Sequence, residues 1–230
     1  MASVAQGRTT LRGFWFLLRG HPGIMIVTAI VAIVLAKVIW PYDHALLDQL
    51  HFLRGPVEGA AHNIAWYLGT FGDYPTYNLP LALAIWLYGA VTKSSWWRRV
   101  AVICFLGATL AGLFDDCFRL TLGRPRPDTH LPDGFYGINF ALSGGYQSFP
   151  SGHAASVFGA AMALIVTEFP LGVLTTAFAV SVVWARMELY RHYPSDVVVG
   201  SIIGIYFGLM VGLGAKVRRP RLARAFQETA

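Results

Sequence analysis

From Gly23 to Trp40 the chain runs 18 residues with a single charge, Lys37. A membrane-spanning helix needs about 20 mainly apolar residues. Inside hydrocarbon the backbone must satisfy its own polar groups, which leaves a helix as the form for one isolated run. Lys37 sits near one end, where its stem can carry the ammonium to the interface. Arginines precede the run, as in a signal peptide, but no small-x-small cleavage pattern follows Trp40, so a retained helix is expected. Further apolar runs fall at 75–92, 100–118, 154–167, 171–189 and 197–213. Composition agrees: 55% of residues are hydrophobic and 13% charged, against about 25% charged in an average soluble domain. This argues against a soluble enzyme, a disordered chain and a secreted disulfide scaffold. Cys104 and Cys117, if on one helix, stand about 20 Å apart along it and cannot bridge.

The segment from Asp43 to Leu53 is too polar to span. Its Leu46, Leu47, Leu50 and Leu53 recur at helical spacing and predict a helix lying in the interface. Residues 59–71 read as a helical approach to the second span, interrupted by Gly69 to Pro75. The expected fold is all-α: a polytopic membrane protein with six transmembrane helices in a bundle, an interfacial helix and a long extracytoplasmic loop at 119–150. All 230 residues read as one domain.

The net charge is +6, from 18 Lys and Arg against 12 Asp and Glu. In a soluble chain it would point to nucleic acid. Here it can be placed by topology. Arg8, Arg12 and Arg19 lie in the tail at 1–22. Lys93, Arg98 and Arg99 join the second and third spans. Lys216, Arg218, Arg219, Arg221 and Arg224 lie in the tail at 216–230. Six spans put these groups on one side, and the positive-inside rule makes both tails cytoplasmic. A seventh span at 59–71 would put the basic C-terminal tail outside. No nucleic-acid partner is expected.

Three clusters then meet on the opposite face. Arg119 ends the third span and is followed by Arg124-Pro125-Arg126-Pro127. Pro150-Ser151-Gly152-His153 opens the fourth. Arg186 ends the fifth, with His192 in the next turn and Asp196 at the start of the sixth. Ionisable groups at membrane depth mark function by default. Guanidiniums match the non-bridging oxygens of a phosphate in charge and fork geometry. Ser151 and Gly152 begin a helix, where free N–H groups and the dipole favour an anion. Of two histidines, one can attack phosphorus while the other protonates the leaving oxygen. The carboxylate of Asp196 can hold the nucleophile's second ring nitrogen and fix its tautomer.

These residues resemble the signature of the type 2 phosphatidic acid phosphatases, or lipid phosphate phosphatases, a family related to the vanadium haloperoxidases. Its pattern is Lys-x6-Arg-Pro, then Pro-Ser-Gly-His, then Ser-Arg-x5-His-x3-Asp. Arg119 to Pro127 fits the first part with Arg in place of Lys. Pro150 to His153 matches the second. Ala185 to Asp196 matches the third with Ala in place of Ser. The resemblance implies that His192 is a nucleophile forming a phosphohistidine, that Asp196 orients it, and that His153 is the general acid and later the base. It also implies that Arg119, Arg126, Arg186, Ser151 and Gly152 hold the phosphate, with no cofactor and no metal.

The implied reaction is hydrolysis of a membrane lipid phosphate or pyrophosphate: phosphatidate, phosphatidylglycerol phosphate, undecaprenyl pyrophosphate or a lipid A phosphate. Alternatives are a phosphotransferase using the same phosphohistidine, and a non-catalytic lipid-binding or transport protein. A bacterial inner membrane is the expected location, with the site on the periplasmic face. Asp115, four residues before Arg119, can pair with it; with Asp116 it could instead hold magnesium. Arg124 and Arg191 lie outside the signature and read as ion-pair residues, with Glu188 a partner for Arg191. Gly200, Gly204, Gly208 and Gly212 form a ridge on which the fourth span can pack through Ala155, Gly159 and Ala163. The same ridge could make a homodimer; otherwise the chain is a monomer. Phe135, Tyr136, Phe140, Tyr146 and Phe149 either pack the long loop or cover the site and grip a lipid chain.

Overall fold

The computed structural model describes residues 22–52 and 59–215. The tail arginines, the basic residues from Lys216 onward and Leu53 lie outside them. The described residues form helices and turns: α1 (Pro22–Ile39), α2 (Asp43–Phe52), α3 (Ala60–Phe71), α4 (Leu79–Val91), α5 (Ser95–Leu122), α6 (Gly152–Thr167), α7 (Phe169–Glu188) and α8 (Pro194–Gly214). A 3-10 turn over Trp40–Tyr42 joins α1 to α2, and a π turn over Tyr74–Asn78 leads into α4.

Helix α6 is the hub. It packs against α5, α7 and α8, while α4 lies on α5, α3 on α7 and α1 on α8. The glycine ridge supplies close backbone contacts between α8 and α6. A Cβ added to Gly204 would stand 2.5 Å from the Ala155 carbonyl oxygen, and one added to Gly208 would stand 2.5 Å from that of Gly159. Both backbones therefore approach to a distance that excludes a side chain. The ridge is used within the chain to seat α8 on α6, the packing its spacing predicted.

Helix α1 carries its apolar residues outward. None of them is buried, and Ile26, Val27 and Ile30 are each more than half exposed. A helix apolar on its outer faces belongs in lipid rather than water. Four stretches are long and apolar enough to cross a membrane: Pro22–Gln49, Ser95–Leu122, Phe169–Glu188 and Pro194–Gly214. The protein is an integral membrane protein.

The runs expected to span at 75–92 and 154–167 fall on shorter helices, α4 with 13 residues and α6 with 16. Most of α6 is buried by its neighbours. It meets protein on nearly every side and needs no lipid-matched length. The approach to α4 breaks at Gly72, after which Asp73 caps the π turn by accepting from the Tyr74 N–H at 2.7 Å.

Ser94 caps α5 with its hydroxyl, and Gly123 ends it in the left-handed region at φ 67°. That conformation disfavours a side chain. It turns the chain into the long loop, whose aromatics pack on one another and on Trp40 in the turn after α1. Phe135 lies tilted against Trp40 at 5.2 Å and edge-on to Phe149 at 5.6 Å, and Tyr146 contacts both Tyr136 and Phe140. Phe135, Tyr136 and Phe140 also stay exposed, so the loop aromatics both pack on one another and present apolar surface. Cys104 and Cys117 are both free on α5.

Candidate active site

His192 lies in the short turn between α7 and α8 and is almost fully buried. Its Nδ1 is 2.7 Å from the carbonyl oxygen of Ser148. A carbonyl only accepts, so Nδ1 carries the proton and Nε2 keeps its lone pair. Burial pushes the His192 pKa well below its usual value, and the positive charges of Arg186, Arg126 and Arg119 push the same way. The imidazole is therefore neutral at pH 7, the form in which Nε2 is a nucleophile.

Arg186, Arg126 and Arg119 all lie near enough to His192 for their charges to act on it. Arg126 stands just after the Arg124-Pro125 step of the loop, and Arg186 in the last turn of α7. Burial, then the nearby Arg191, lowers the Arg126 pKa to about 10, which leaves it charged. Arg119, Arg126 and Arg186 each keep a buried Nε without a protein partner, as does the Ser151 hydroxyl. Such groups are expensive to bury unless something satisfies them, and an anion accepting from all four would do so. Ser151 opens α6 without capping it with its side chain. Gly152 follows, and a Cβ there would stand 3.6 Å from Arg119 Nη1.

His153 lies one residue further along. Its Nε2 is 3.2 Å from the Gly69 carbonyl oxygen and 3.8 Å from the Asp73 carboxylate. Arg186 Nη1 donates to the same carbonyl at 3.3 Å. The end of α3 thus holds both a histidine and an arginine of the site. Nothing in the local sequence around Gly69 announces this.

Four expectations need correction. Asp196 does not hold the ring of His192 directly: its Oδ2 is 3.8 Å from Nδ1, and the Ser148 carbonyl takes that place. Asp196 is fully engaged elsewhere, accepting from Arg124 Nη1 at 2.5 Å, Ser148 Oγ at 2.6 Å and the Tyr193 N–H at 2.8 Å. Arg119 pairs with Asp116, not Asp115; Asp115 is buried beside Gly152, with neither carboxylate oxygen hydrogen-bonded. Arg191 pairs with Asp128 at 2.5 Å rather than with Glu188. Finally, α2 is more than an interfacial helix, because its first residue, Asp43, is fully buried against Arg124. Arg124 itself is the ion-pair residue it was expected to be.

A sequence model described as the PAP2 superfamily matches residues 96–218. The chain belongs to the PAP2 superfamily.

Within it, this PAP2 chain is 34% identical over 123 residues to a lipid A 1-phosphatase of Rhizobium johnstonii, covering 50% of this chain and 47% of that one. It is 37% identical over 130 residues to a lipid A 4'-phosphatase of Bacteroides thetaiotaomicron, covering 53% and 57%. The chain thus spans about half the length of these curated relatives. Its fold is similar to the crystal structure of a transmembrane PAP2-type phosphatidylglycerolphosphate phosphatase from Bacillus subtilis. The TM-score is 0.64 at 20% identity, over 85% of this chain and 98% of that one.

Proposed function

We propose that this PAP2 chain is a membrane phosphohydrolase that removes phosphate from a lipid phosphate through a phosphohistidine on His192. The observation that carries the reading is a neutral, buried His192 with Nε2 unprotonated, facing the field of three arginines that keep unpartnered N–H groups. Helices that cross the bilayer and relatives named as lipid A phosphatases support a lipid as the carrier of that phosphate.

The chemistry follows from the positions of the groups. Arg119, Arg126 and Arg186 take the non-bridging oxygens, joined by the Ser151 hydroxyl and the free N–H groups at the start of α6. The Nε2 lone pair attacks phosphorus and the P–O bond to the lipid breaks. His153 gives a proton to the leaving oxygen, so a neutral lipid alcohol departs and the phosphoryl group stays on His192. His153 then takes a proton from water, the water oxygen attacks phosphorus and the N–P bond breaks. Inorganic phosphate leaves and His192 is neutral again. The arginines stabilise the negative charge throughout.

The topology that fits this reading has six crossings, with α4 and α6 completing the bundle. Both termini are then cytoplasmic and the site faces the periplasm. A cavity of about 650 Å³ lies between α2, residues 127–131 and the α7–α8 turn, with Asp48, Asp128, His130 and Tyr190 in its wall and no Lys or Arg among the described lining residues. None of Arg119, Arg126, Ser151, His153, Arg186 and His192 is among those lining residues, and Asp128 is paired with Arg191. The test is phosphate release by purified protein from phosphatidate, phosphatidylglycerol phosphate, lipid A phosphate and undecaprenyl pyrophosphate. Phosphate release from at least one of these lipids by wild type, and no turnover by His192→Ala, are expected. Turnover by His192→Ala would remove the proposed nucleophile.

A further inference from the structure

Arg124 differs from the three phosphate-facing arginines in one respect. All five of its N–H groups are used inside the protein. Nε donates to Asp133 at 2.9 Å, Nη1 to Ser195 at 2.8 Å and to Asp196 at 2.5 Å, and Nη2 to Asp43 and Asp133 at 2.8 Å each. Its guanidinium is fully buried, with Cζ 3.5 Å from the Trp40 ring centroid and 4.2 Å from that of Tyr193. A guanidinium with no N–H to spare does not bind phosphate. What it can do is hold its acceptors in place.

Those acceptors lead to the nucleophile. Arg124 fixes one oxygen of Asp196, and the other oxygen of Asp196 fixes the Ser148 hydroxyl. The Ser148 carbonyl holds Nδ1 of His192, and the Ser148 N–H donates to the Arg124 carbonyl at 3.0 Å. The network is closed, so Arg124 sets the position of Ser148 through both its side chain and its backbone. On the far side, Asp43 accepts from Arg124 and from the N–H and hydroxyl of Ser195, in the first turn of α8. A carboxylate at that helix start also matches the dipole.

We propose that the corner between α1 and α2 is a positioning element for His192: Asp43 and Trp40 clamp Arg124, and Arg124 holds Asp196 and Ser148 against the histidine. The corner lies outside residues 96–218, the part matched to the PAP2 superfamily. Its role in orienting the nucleophile adds to the signature residues. Asp43 and Trp40 touch no reacting atom, and they act through Arg124. Both the closeness of the two partners and the completeness of the hydrogen bonding argue for this. A buried guanidinium facing three carboxylates holds a fixed geometry only while each carboxylate is in place.

The inference rests on the phosphohydrolase reading for its kinetic arm alone. In Asp43→Asn the amide oxygen can still accept from the Ser195 N–H, but the negative charge facing Arg124 is lost. Expected are a fall in kcat of about tenfold and a KM within about twofold of wild type. Trp40→Leu keeps an apolar residue at the corner and removes the cation–π contact; a fall of about twofold to fivefold is expected. The second arm is nitrogen NMR of ¹⁵N-histidine-labelled protein, with His192 assigned by its loss in His192→Gln. Wild type should show the Nδ1–H tautomer, and Asp43→Asn a mixture of both. A wild-type kcat per folded protein in both variants, or an unchanged tautomer in Asp43→Asn, would overturn the proposal. Wild type that releases no phosphate would count against the hydrolase reading, while the tautomer would still decide the role of the corner.

Discussion

The ring Nδ1 of His192 hydrogen-bonds the carbonyl oxygen of Ser148 at 2.7 Å, and the nearest carboxylate oxygen, that of Asp196, is 3.8 Å away. The link from Asp196 to the histidine therefore runs through Ser148, whose hydroxyl donates to the carboxylate at 2.6 Å. Ser148→Ala removes that hydroxyl and leaves the carbonyl. The loss of a hydrogen bond to a charged group is worth about 1.5–3 kcal/mol. The part of it transmitted to the transition state should lower kcat by about tenfold with KM nearly unchanged, as measured by steady-state phosphate release.

Stability should depend on pH through the same histidine. In the unfolded chain His192 takes a proton near pH 6.5, but in the fold only well below that, because burial and three arginines oppose the charge. Below about pH 6.5 the unfolded state holds more protons than the native state, so stability falls as pH falls. The contribution is fully present above that pH and is lost on the way down to the depressed folded value. Thermal unfolding in detergent at pH 7.5 and pH 5 should show a smaller drop in Tm for His192→Gln than for wild type.

The close seat of α8 on α6 should not tolerate a side chain. Gly204→Leu puts a Cβ 2.5 Å from the Ala155 carbonyl oxygen, a backbone atom that cannot move aside alone. Overpacking of this kind costs about 1–3 kcal/mol. Because α6 carries His153 and α8 begins just after His192, activity should fall together with Tm. Ser201→Ala, on the same helix, loses only a bond from its hydroxyl to the Val197 carbonyl and should leave both near wild type.

The signature arginines should separate from Arg124 in their kinetics. Arg126→Lys keeps the charge and loses the fork. It should raise both KM and the inhibition constant for inorganic phosphate by about tenfold, because the side chain meets the anion. Arg124→Lys should lower kcat with little change in the phosphate inhibition constant. Competitive inhibition by phosphate in the two variants distinguishes a ligand-binding arginine from a structural one.

The parts of this account visible in the sequence are those carried by local periodicity or short spacing. The glycine ridge repeats every fourth residue, and with Ala155, Gly159 and Ala163 at the same spacing it predicts the packing of α6 on α8. The three signature clusters sit at the ends of apolar runs, which placed Arg119, His153 and His192 at one depth. The hidden parts are held by contacts between distant positions. Asp43 meets Arg124 from 81 residues away, and Ser148 meets His192 from 44. Neither residue carries a spacing or neighbour that marks it. The direct Asp196–His192 contact was a reasonable reading of a four-residue spacing. The helix start instead turns that carboxylate toward Tyr193, Ser148 and Arg124, and the carbonyl of Ser148 fills the gap. The carboxylate pairings failed for a related reason. At helical spacing Asp115 and Asp116 are both within reach of Arg119, and the fold pairs it with Asp116.

The most direct test of the central claim is rapid-quench labelling with a ³²P-labelled lipid phosphate, followed by mapping of the labelled peptide. The account predicts an acid-labile, base-stable phosphoryl group on the peptide containing His192, absent from His192→Ala. Label on any other residue, or full turnover by His192→Ala, would contradict it.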